Sequence, residues 1–380
     1  MKILVGLSGG VDSAVAAYLL KEQGHDVTCA FMRNWDSASN NDVEGNPTVN
    51  DDVCPQETDY QDAVKAAEKL GLPLMRVDYI KEYWDDVFET FLSEYKKGRT
   101  PNPDILCNRY IKFDRFYHFA EVHGFEKLAT GHYCDLTVRD GRPALYKASD
   151  RNKDQSYFLG EIRREVLDHI LFPLGKVTKP EVRRIAHELD LSVADKKDST
   201  GICFIGERDF RRFLSNYLPM KHGRIINIET GETVGEHKGV LYYTVGQRKG
   251  LDIGGIGPFF VAGKDVVRNE LYVVGAGHED LLYSDACLVE DVNWLMDECD
   301  TLACTAKFRY RQPDQDVVLE RVDASHILLK YPQTVRSVTC GQEAVVYDHD
   351  AVRCAGRICA VYKNGMDISE IIKGMMQNAG

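Results

Sequence analysis

An apolar run that breaks at paired glycines and resumes as a helical pattern constrains the whole N-terminal half of this chain. Residues 2–20 read KILVGLSGGVDSAVAAYLL. KILVGL suits a buried strand, Gly9-Gly10 make a tight turn, and the pattern from about Asp12 to Gln23 is helical. Gly24 stops that helix and HDVTCAFM supplies a second strand, which makes a βαβ unit. Two strands joined in this way run parallel and take ligands at their carboxyl ends.

The alternation continues down the chain. DYQDAVKAAEKLGL reads as helix, PLMRVDY as strand, YIKEYWDDVFETFLSEYKKG as a long amphipathic helix, and KLATGHY as a strand ending in a Gly-His turn. Thr178, followed by Pro180 and Glu181, predicts a capping box for KPEVRRIAHEL, and helical patterns continue to about Tyr217. The polar stretch 34–57 is too long for an ordinary connection and predicts a flexible lid or a disordered insert. After Gly223 the texture changes to short β-rich runs: LYYTVGQ, FFVAGKDVV and ELYVVGA, then CLVEDVNWL, CTAKFRYR, HILLKY and EAVVYDH. The fold class expected is therefore α/β. A doubly wound parallel-sheet domain spans 1–217, a small β-rich domain 218–280, and a second β-rich domain 281–380.

Composition excludes several classes. No window of about 18 uncharged apolar residues is present, so no membrane-spanning helix is expected. No basic segment precedes the first strand, and the expected compartment is the cytoplasm. Eleven cysteines lie scattered without a C-x-x-C pair or zinc spacing, which argues against an iron–sulfur cluster or a zinc site. A net charge of -12 opposes nonspecific nucleic-acid binding but leaves room for a local basic face. Arg248 with Lys249 is one candidate. Lys307, Arg309 and Arg311 around Tyr310 are another, since in a strand these three cations share a face. A solvated strand edge with protective charges accounts for the same pattern.

Three constellations carry chemistry. In Ser8-Gly9-Gly10-Val11-Asp12-Ser13, amides at a helix start and two hydroxyls suit a pyrophosphate, yet the lysine of an ordinary P-loop is missing. A glycine turn capped by Asp12 or Ser13 is the plain alternative. In GRTPNPDILCNRYIKF, two X-Pro pairs fix a loop that presents Asn102, Asp104 and Cys107 just before a helix. A helix N-terminus favours a thiolate there, and a turn over a buried cysteine fits equally. In KKDSTGICFIG, Cys203 follows a polar turn, and Lys196 and Lys197 would lower its pKa if they lie close.

SGGVDS after an N-terminal strand resembles the PP-loop of ATP pyrophosphatases, which cleave ATP between the α and β phosphates and adenylate a substrate oxygen. With TPNPDILCN and DSTGICFIG in that order, the chain resembles the tRNA 2-thiouridylase family. NWD (34–36), ATGHY, KDQSYFL, FPLGKVTKPEVR and YTVGQRKGL extend the likeness over nearly its whole length. The departures lie in the 37–56 insert and in the C-terminal domain, for which the resemblance implies a β-barrel. It further implies ATP at Gly6, Leu7, Ser8, Gly9, Gly10, Val11, Asp12, Ser13, Met32 and Gly131, with Mg²⁺ carried by the nucleotide and Asp12 a candidate ligand. Cys203 would carry a persulfide, Cys107 would release or resolve it, and Asp104 would act as acid or base. Asn102, Pro103 and Asp104 would line a flipped uridine, with His132 beside it. Lys153, Asp154, Gln155, Arg309, Tyr310 and Gln342 would contact tRNA. The implied partners are tRNAs with Lys-, Glu- and Gln-type anticodons and a persulfide donor fed by a cysteine desulfurase, with no membrane. A PP-loop ligase or amidotransferase acting on a small molecule is the competing enzyme class.

Overall fold

β1 (Lys2–Gly6) is apolar on both faces because it lies at the centre of a sheet covered on both sides. The computed structural model describes residues 1–44, 46, 55–198, 205, 209–254 and 257–378. α1 (Val11–Glu22) returns the chain to β2 (Asp26–Arg33), and α2 (Pro55–Leu70) leads to β3 (Leu74–Asp78). β4 (Lys127–Ala129) then pairs on the other side of β1. The hairpin of β5 (Cys134–Arg139) and β6 (Arg142–Lys147) follows, and β7 (Ile170–Leu171) completes the first sheet. Its order is β3-β2-β1-β4-β7 with every pair parallel, so the strand order reverses between β1 and β4. In such sheets the crevice over that reversal is the natural ligand site.

The sheet is covered as a doubly wound fold requires. On one face Val11, Ala14 and Val15 of α1 pack with Ala63, Ala66 and Ala67 of α2 and with Val182 and Ala186 of the helix Lys179–Glu188. On the other, the helical runs 80–96 and 103–122 bury Phe88, Phe91, Phe113 and Phe116. Each run contains a more widely wound segment, Tyr83–Phe88 and Asn108–Arg115, and Phe113 leaves helical angles altogether (φ -106°, ψ 16°). The described part of the 34–57 stretch is packed rather than lid-like. Trp35 is buried and its indole N–H donates to Asp42 at 3.1 Å.

β8 (Gly223–Asn227), β9 (Thr233–His237), β10 (Phe259–Asp265) and β11 (Glu270–Gly275) form a second sheet in the order β10-β11-β8-β9. LYYTVGQ is not a strand in it. Val240–Tyr242 make a helical turn, pinned by the Tyr242 hydroxyl on the Leu218 carbonyl and by Lys264 on the Tyr243 carbonyl, each at 2.8 Å.

β12 (Tyr283–Trp294), β13 (Thr301–Lys307), β14 (Gln315–Arg321), β15 (Ile327–Arg336), β16 (Glu343–Asp348) and β17 (Ala351–Lys363) pair in the order β12-β15-β14-β13-β16-β17. β17 pairs back onto β12, closing a six-stranded barrel. β18 (Met366–Asp367) and the helix Ile368–Asn378 end the described chain. The β5–β6 hairpin joins β17 through Tyr146 and Ala351, so the first domain's chain extends the barrel sheet. The expected basic strand face is absent. β13 stops at Lys307, Phe308 turns inward to 1% exposure, and the Gln312 side chain accepts its N–H, so Lys307, Arg309 and Arg311 do not share a strand. Among the described residues no helix is long and apolar enough to cross a membrane.

Candidate active site

The loop after β1 is shaped by contacts that only glycine tolerates. Gly9 has φ +74°, and a Cβ on it would fall 2.1 Å from the Asp59 carbonyl oxygen of α2. Gly10 caps α1 in an extended conformation and has open space in front of it, with only the Ser8 hydroxyl 3.5 Å from a built Cβ. The Ser13 hydroxyl accepts the Ser8 N–H at 3.1 Å and donates to the Gly10 carbonyl at 3.1 Å, while the Ser8 hydroxyl lies 3.2 Å away. This leaves the first-turn amides of α1 unpaired within the helix, at the positive end of its dipole. The cradle fits the phosphates of a nucleotide.

β4 delivers the opposite wall. A Cβ on Gly131 would lie 2.8 Å from the Ser13 nitrogen and 2.9 Å from the Asp12 carbonyl carbon, so the 130–132 turn and the start of α1 touch backbone to backbone. That contact by itself requires a residue without a Cβ at 131. Met32 is buried at the end of β2, its methyl 3.6 Å from a Cβ built on Gly6.

In this structure the Asp12 carboxylate is engaged by protein groups. Its carboxylate accepts the Tyr133 hydroxyl at 2.7 Å, and Lys179 donates to its two oxygens at 2.7 and 2.8 Å. Burial first, and then Asp12, push the Tyr133 hydroxyl far above its ordinary range, so it remains a donor. Lys179 also contacts Asp198 at 2.7 Å, with Lys153 at 2.5 Å and Arg183 at 3.3 Å from the same carboxylate. Burial opposes ionisation of Asp198, but Lys153 and Lys179 outweigh it and hold its pKa down at about 2. The helix carrying Lys179 begins at Thr178, whose side chain makes no capping bond. Asp150 accepts the Lys179 N–H at 2.9 Å instead, so the expected capping box does not form. Lys196, read as able to lower the Cys203 pKa if the two lie close, makes three contacts of its own, while Cys203 lies outside the described residues. Its ammonium donates to the Gly9 carbonyl at 3.0 Å and to Asp59 and Asp62 at 2.8 and 2.7 Å. Among the described residues no group of His, Cys, Asp and Glu is arranged to hold a metal ion.

The helical run 103–122 faces this crevice. Asn102 caps it, accepting the Asp104 N–H at 3.1 Å, and Pro103 occupies the first turn where it costs no hydrogen bond. Asp104 and Cys107 are one helical turn apart. Cys107 is 0% exposed among Ile105, Ile111 and Phe113, a buried thiol in this state rather than an exposed one at the helix mouth. Further along, Lys112 lies 3.5 Å from His132 Nε2, and Phe113 lies beside the same ring. His132 Nδ1 is 2.7 Å from the Thr130 hydroxyl. Burial first, and then Lys112, hold the imidazole well below its ordinary pKa, so it is neutral at pH 7. Cys203 lies outside the described residues.

The remaining site candidates prove to be braces as well as surface groups. Asp154 is buried, accepting from the Ala148 N–H and the Ser156 hydroxyl at 3.0 and 2.9 Å. Gln155 accepts the Tyr133 N–H at 2.9 Å. Arg309 donates to the carbonyls of Val245 and Ser337, tying the central sheet to the barrel. Tyr310 packs on Phe158 with ring centroids 4.3 Å apart. Gln342 donates to the Thr100 carbonyl at 2.6 Å, which anchors the loop before Asn102 to the barrel. Reading the sequence missed Lys179, Tyr133, Asp198 and Lys112. Each acts on a residue that only the folded chain brings near, and no local spacing marks it.

Family profiles match in three consecutive blocks. Residues 1–207 match a "tRNA methyl transferase HUP domain", 211–275 a "tRNA methyl transferase PRC-barrel domain", and 284–364 an "Aminomethyltransferase beta-barrel domain". Full-length relatives carry a different name. The chain is 51% identical over 359 residues to the tRNA-specific 2-thiouridylase MnmA of Mycoplasma mycoides subsp. mycoides SC, covering 92% of this chain and 96% of that one. It is 51% identical to the protein of the same name from Acholeplasma laidlawii over 96% of this chain and 98% of that one. With the Staphylococcus carnosus protein it shares 48% over 98% of both. A solved 4-thiouridine synthetase–RNA complex with bound ATP is far more distant, at 14% identity and a TM-score of 0.30 over 55% of this chain and 46% of that one. The profile descriptions speak of methyl transfer, but they cover single blocks, whereas the curated relatives match from end to end. The chain belongs to the tRNA-specific 2-thiouridylase family.

Proposed function

We propose that this protein replaces O2 of the anticodon wobble uridine, position 34, by sulfur in an ATP-dependent reaction that yields 2-thiouridine, AMP and pyrophosphate. One chain of contacts carries the reading. The phosphate cradle touches Gly131, the adjacent His132 touches Lys112 and Phe113, and these sit on the helical run that bears Asp104 and Cys107. The cradle and the helical run that bears Cys107 thus come together beyond the carboxyl ends of β1 and β4, which supports this reading.

Gly9, Gly10 and the first turn of α1 hold the β and γ phosphates of the substrate ATP as one departing unit, and the Ser8 hydroxyl adds a donor. The backbone of Met32, at the end of β2, meets the adenine. Uridine O2 attacks the α-phosphorus, the bond from that phosphorus to the β-bridging oxygen breaks, and the N3 proton is released. Neutral His132, Asn102, Pro103 and Asp104 orient the unstacked base, since chemistry on a base requires it out of the stack. The terminal sulfur of a Cys203 persulfide then attacks C2, and AMP leaves. Cys107 attacks the inner sulfur as thiolate, which breaks the S–S bond, reduces the sulfane sulfur and leaves a Cys107–Cys203 disulfide. Cellular thiols reduce that disulfide. The alternative order, in which Cys107 first frees hydrogensulfide, uses the same atoms. Because Cys107 is buried, the 103–107 turn must open for either order. In this structure Lys179 and Tyr133 occupy the Asp12 carboxylate, and no step here depends on a metal at that residue.

The substrates are tRNAs with Lys-, Glu- and Gln-type anticodons, bound with Lys153, Arg311, Arg248 and Lys249 toward the phosphates. The sulfur arrives on a persulfide donor protein fed by a cysteine desulfurase. The test is the Cys203→Ser chain: transfer is abolished while ATP and tRNA binding persist, and Cys107→Ser still accumulates a protein persulfide. A persulfide found on Cys203→Ser but not on Cys107→Ser would exchange the two roles.

A further inference from the structure

The loop Ser8–Ser13 has no lysine of its own, yet two lysines from distant parts of the chain reach it, and their surroundings differ. Lys196 sits on the Gly9 carbonyl between Asp59 and Asp62, both of which it holds within 2.8 Å. Withdrawing it toward a phosphate would strand Asp59 and leave Asp62 only Lys65 at 3.9 Å. Lys179 is placed otherwise. Its side chain is 9% exposed, and its three donors point at Asp12 Oδ1, Asp12 Oδ2 and Asp198 Oδ1. Asp198 keeps Lys153 at 2.5 Å and Arg183 at 3.3 Å if Lys179 turns away, and Asp12 keeps the Tyr133 hydroxyl at 2.7 Å. Among the described residues, Lys179 is thus a cation at this loop that can change partners without leaving a carboxylate unpaired.

Its position is fixed from behind. Asp150 accepts its backbone N–H at 2.9 Å, and Val182 and Ala186, both at 0% exposure, lock the helix Lys179–Glu188 against α1. The ammonium is therefore delivered to the first turn of α1, where a polyphosphate would otherwise meet the unscreened Asp12 carboxylate. An acid in that turn repels the very anion that the helix dipole attracts. A cation placed between them removes the conflict.

We propose that Lys179 is a catalytic residue of this site: the lysine that the loop lacks, which contacts the leaving pyrophosphate, with Asp12 as the positioning residue that aims it. The inference rests on the ATP-dependent reading of the loop given above. As the bond from the α-phosphorus to the β-bridging oxygen breaks, its electron pair stays on that oxygen, and Lys179 donates a hydrogen bond to the charge that develops there. No proton need change hands. Arginine would not substitute fully, because its planar fork cannot take the same three-way contact.

The test uses the full-length chain and inorganic pyrophosphate, with calorimetric titration alongside tRNA-dependent AMP formation. The unaltered chain binds pyrophosphate. Lys179→Met loses about 10- to 100-fold of that affinity, as removal of a charged hydrogen bond predicts. Its kcat for AMP formation falls about 100- to 1000-fold, as for loss of a donor to a developing oxyanion, while affinity for AMP alone is unchanged. The double variant Asp12→Asn/Lys179→Met removes both charges together, and it decides the matter even where the single variant fails to fold. Against the unaltered chain it still shows the loss of about 10- to 100-fold in pyrophosphate affinity and about 100- to 1000-fold in kcat if Lys179 acts on the phosphate. Recovery of both to the unaltered chain's values would overturn the proposal and make Lys179 a mere counter-ion of Asp12. Absence of pyrophosphate binding by the unaltered chain would overturn the ATP reading itself, and this inference with it.

Discussion

Gly131 shows how much of this site hangs on single atoms. Its missing Cβ lets the 130–132 turn rest on the backbone of Asp12 and Ser13, so one contact sets both the phosphate cradle and the height of His132. Gly131→Ala would place a carbon within 3.0 Å of backbone that cannot rotate away, and overpacking of this kind costs about 1–3 kcal/mol. We expect a lowered thermal midpoint together with weakened binding of ATP, read by melting and by titration. A variant with unchanged midpoint and affinity would show that the turn yields without consequence. This residue was legible in the sequence as part of ATGHY, but its reason was not. A glycine expected to approach a nucleotide also packs against the start of a helix. The same holds for Lys179, which touches Asp12 across 167 positions and has no local mark. Asp154 and Arg309 carry a second role that the sequence did not show. Asp154 was assigned to tRNA contact by resemblance and Arg309 as part of a basic face, and the fold also uses their hydrogen bonds internally.

At the level of elements the outcome follows the physics of local pattern. Strands buried on both faces and helices that begin after a turn were readable, because apolar runs and glycine stops act over a few residues. The β5–β6 hairpin was overlooked although Asp140-Gly141, with φ of 51° and 77°, is a strong two-residue hairpin signal. LYYTVGQ was misread because β-branched and aromatic residues favour strands only where a neighbour is available to pair. The basic face drawn from KFRYR failed for a related reason, since a buried Phe308 ends the strand before the alternation can matter. The run 103–122 is the element on which function turns, and Asn102 holds its start. Loss of an N-cap costs about 0.5–2 kcal/mol, so Asn102→Ala should lower stability to denaturant by that amount. It should also speed alkylation of Cys107, whose burial depends on the same turn. Unchanged alkylation at lowered stability would detach Cys107 from the cap.

Across the whole molecule, the loop that precedes Asn102 is where all three sheets meet. Arg99 binds Glu94 at 3.1 Å and Glu290 of the barrel at 2.7 Å, Thr100 receives Gln342, and the Thr100 and Thr244 hydroxyls lie 3.5 Å apart. Deeper in this junction, Glu343 of the barrel is buried facing Glu161, with Arg109 and Arg357 nearby and Tyr157 bonded to its carbonyl. Burial first, and the Glu161 carboxylate second, push Glu343 well above its ordinary 4.5. A carboxyl raised in the folded state binds its proton more tightly there than when unfolded. Its contribution is therefore lost as pH rises through that elevated value. Glu343→Gln cannot lose a proton, so its thermal midpoint should fall less than the parent's between pH 5 and pH 8. Parallel profiles would mean that the junction carries no shared proton. The acidic chain as a whole still has to hold an anionic substrate, and binding should weaken steeply with added salt if tRNA phosphates are contacted. The central claim is that this molecule installs sulfur at the wobble uridine. Mass analysis of nucleosides from tRNA of cells lacking the protein tests it most directly. The account predicts loss of 2-thiouridine at position 34 and its return when the intact chain, but not Cys203→Ser, is restored. Persistence of that nucleoside while a different modification disappeared would contradict it.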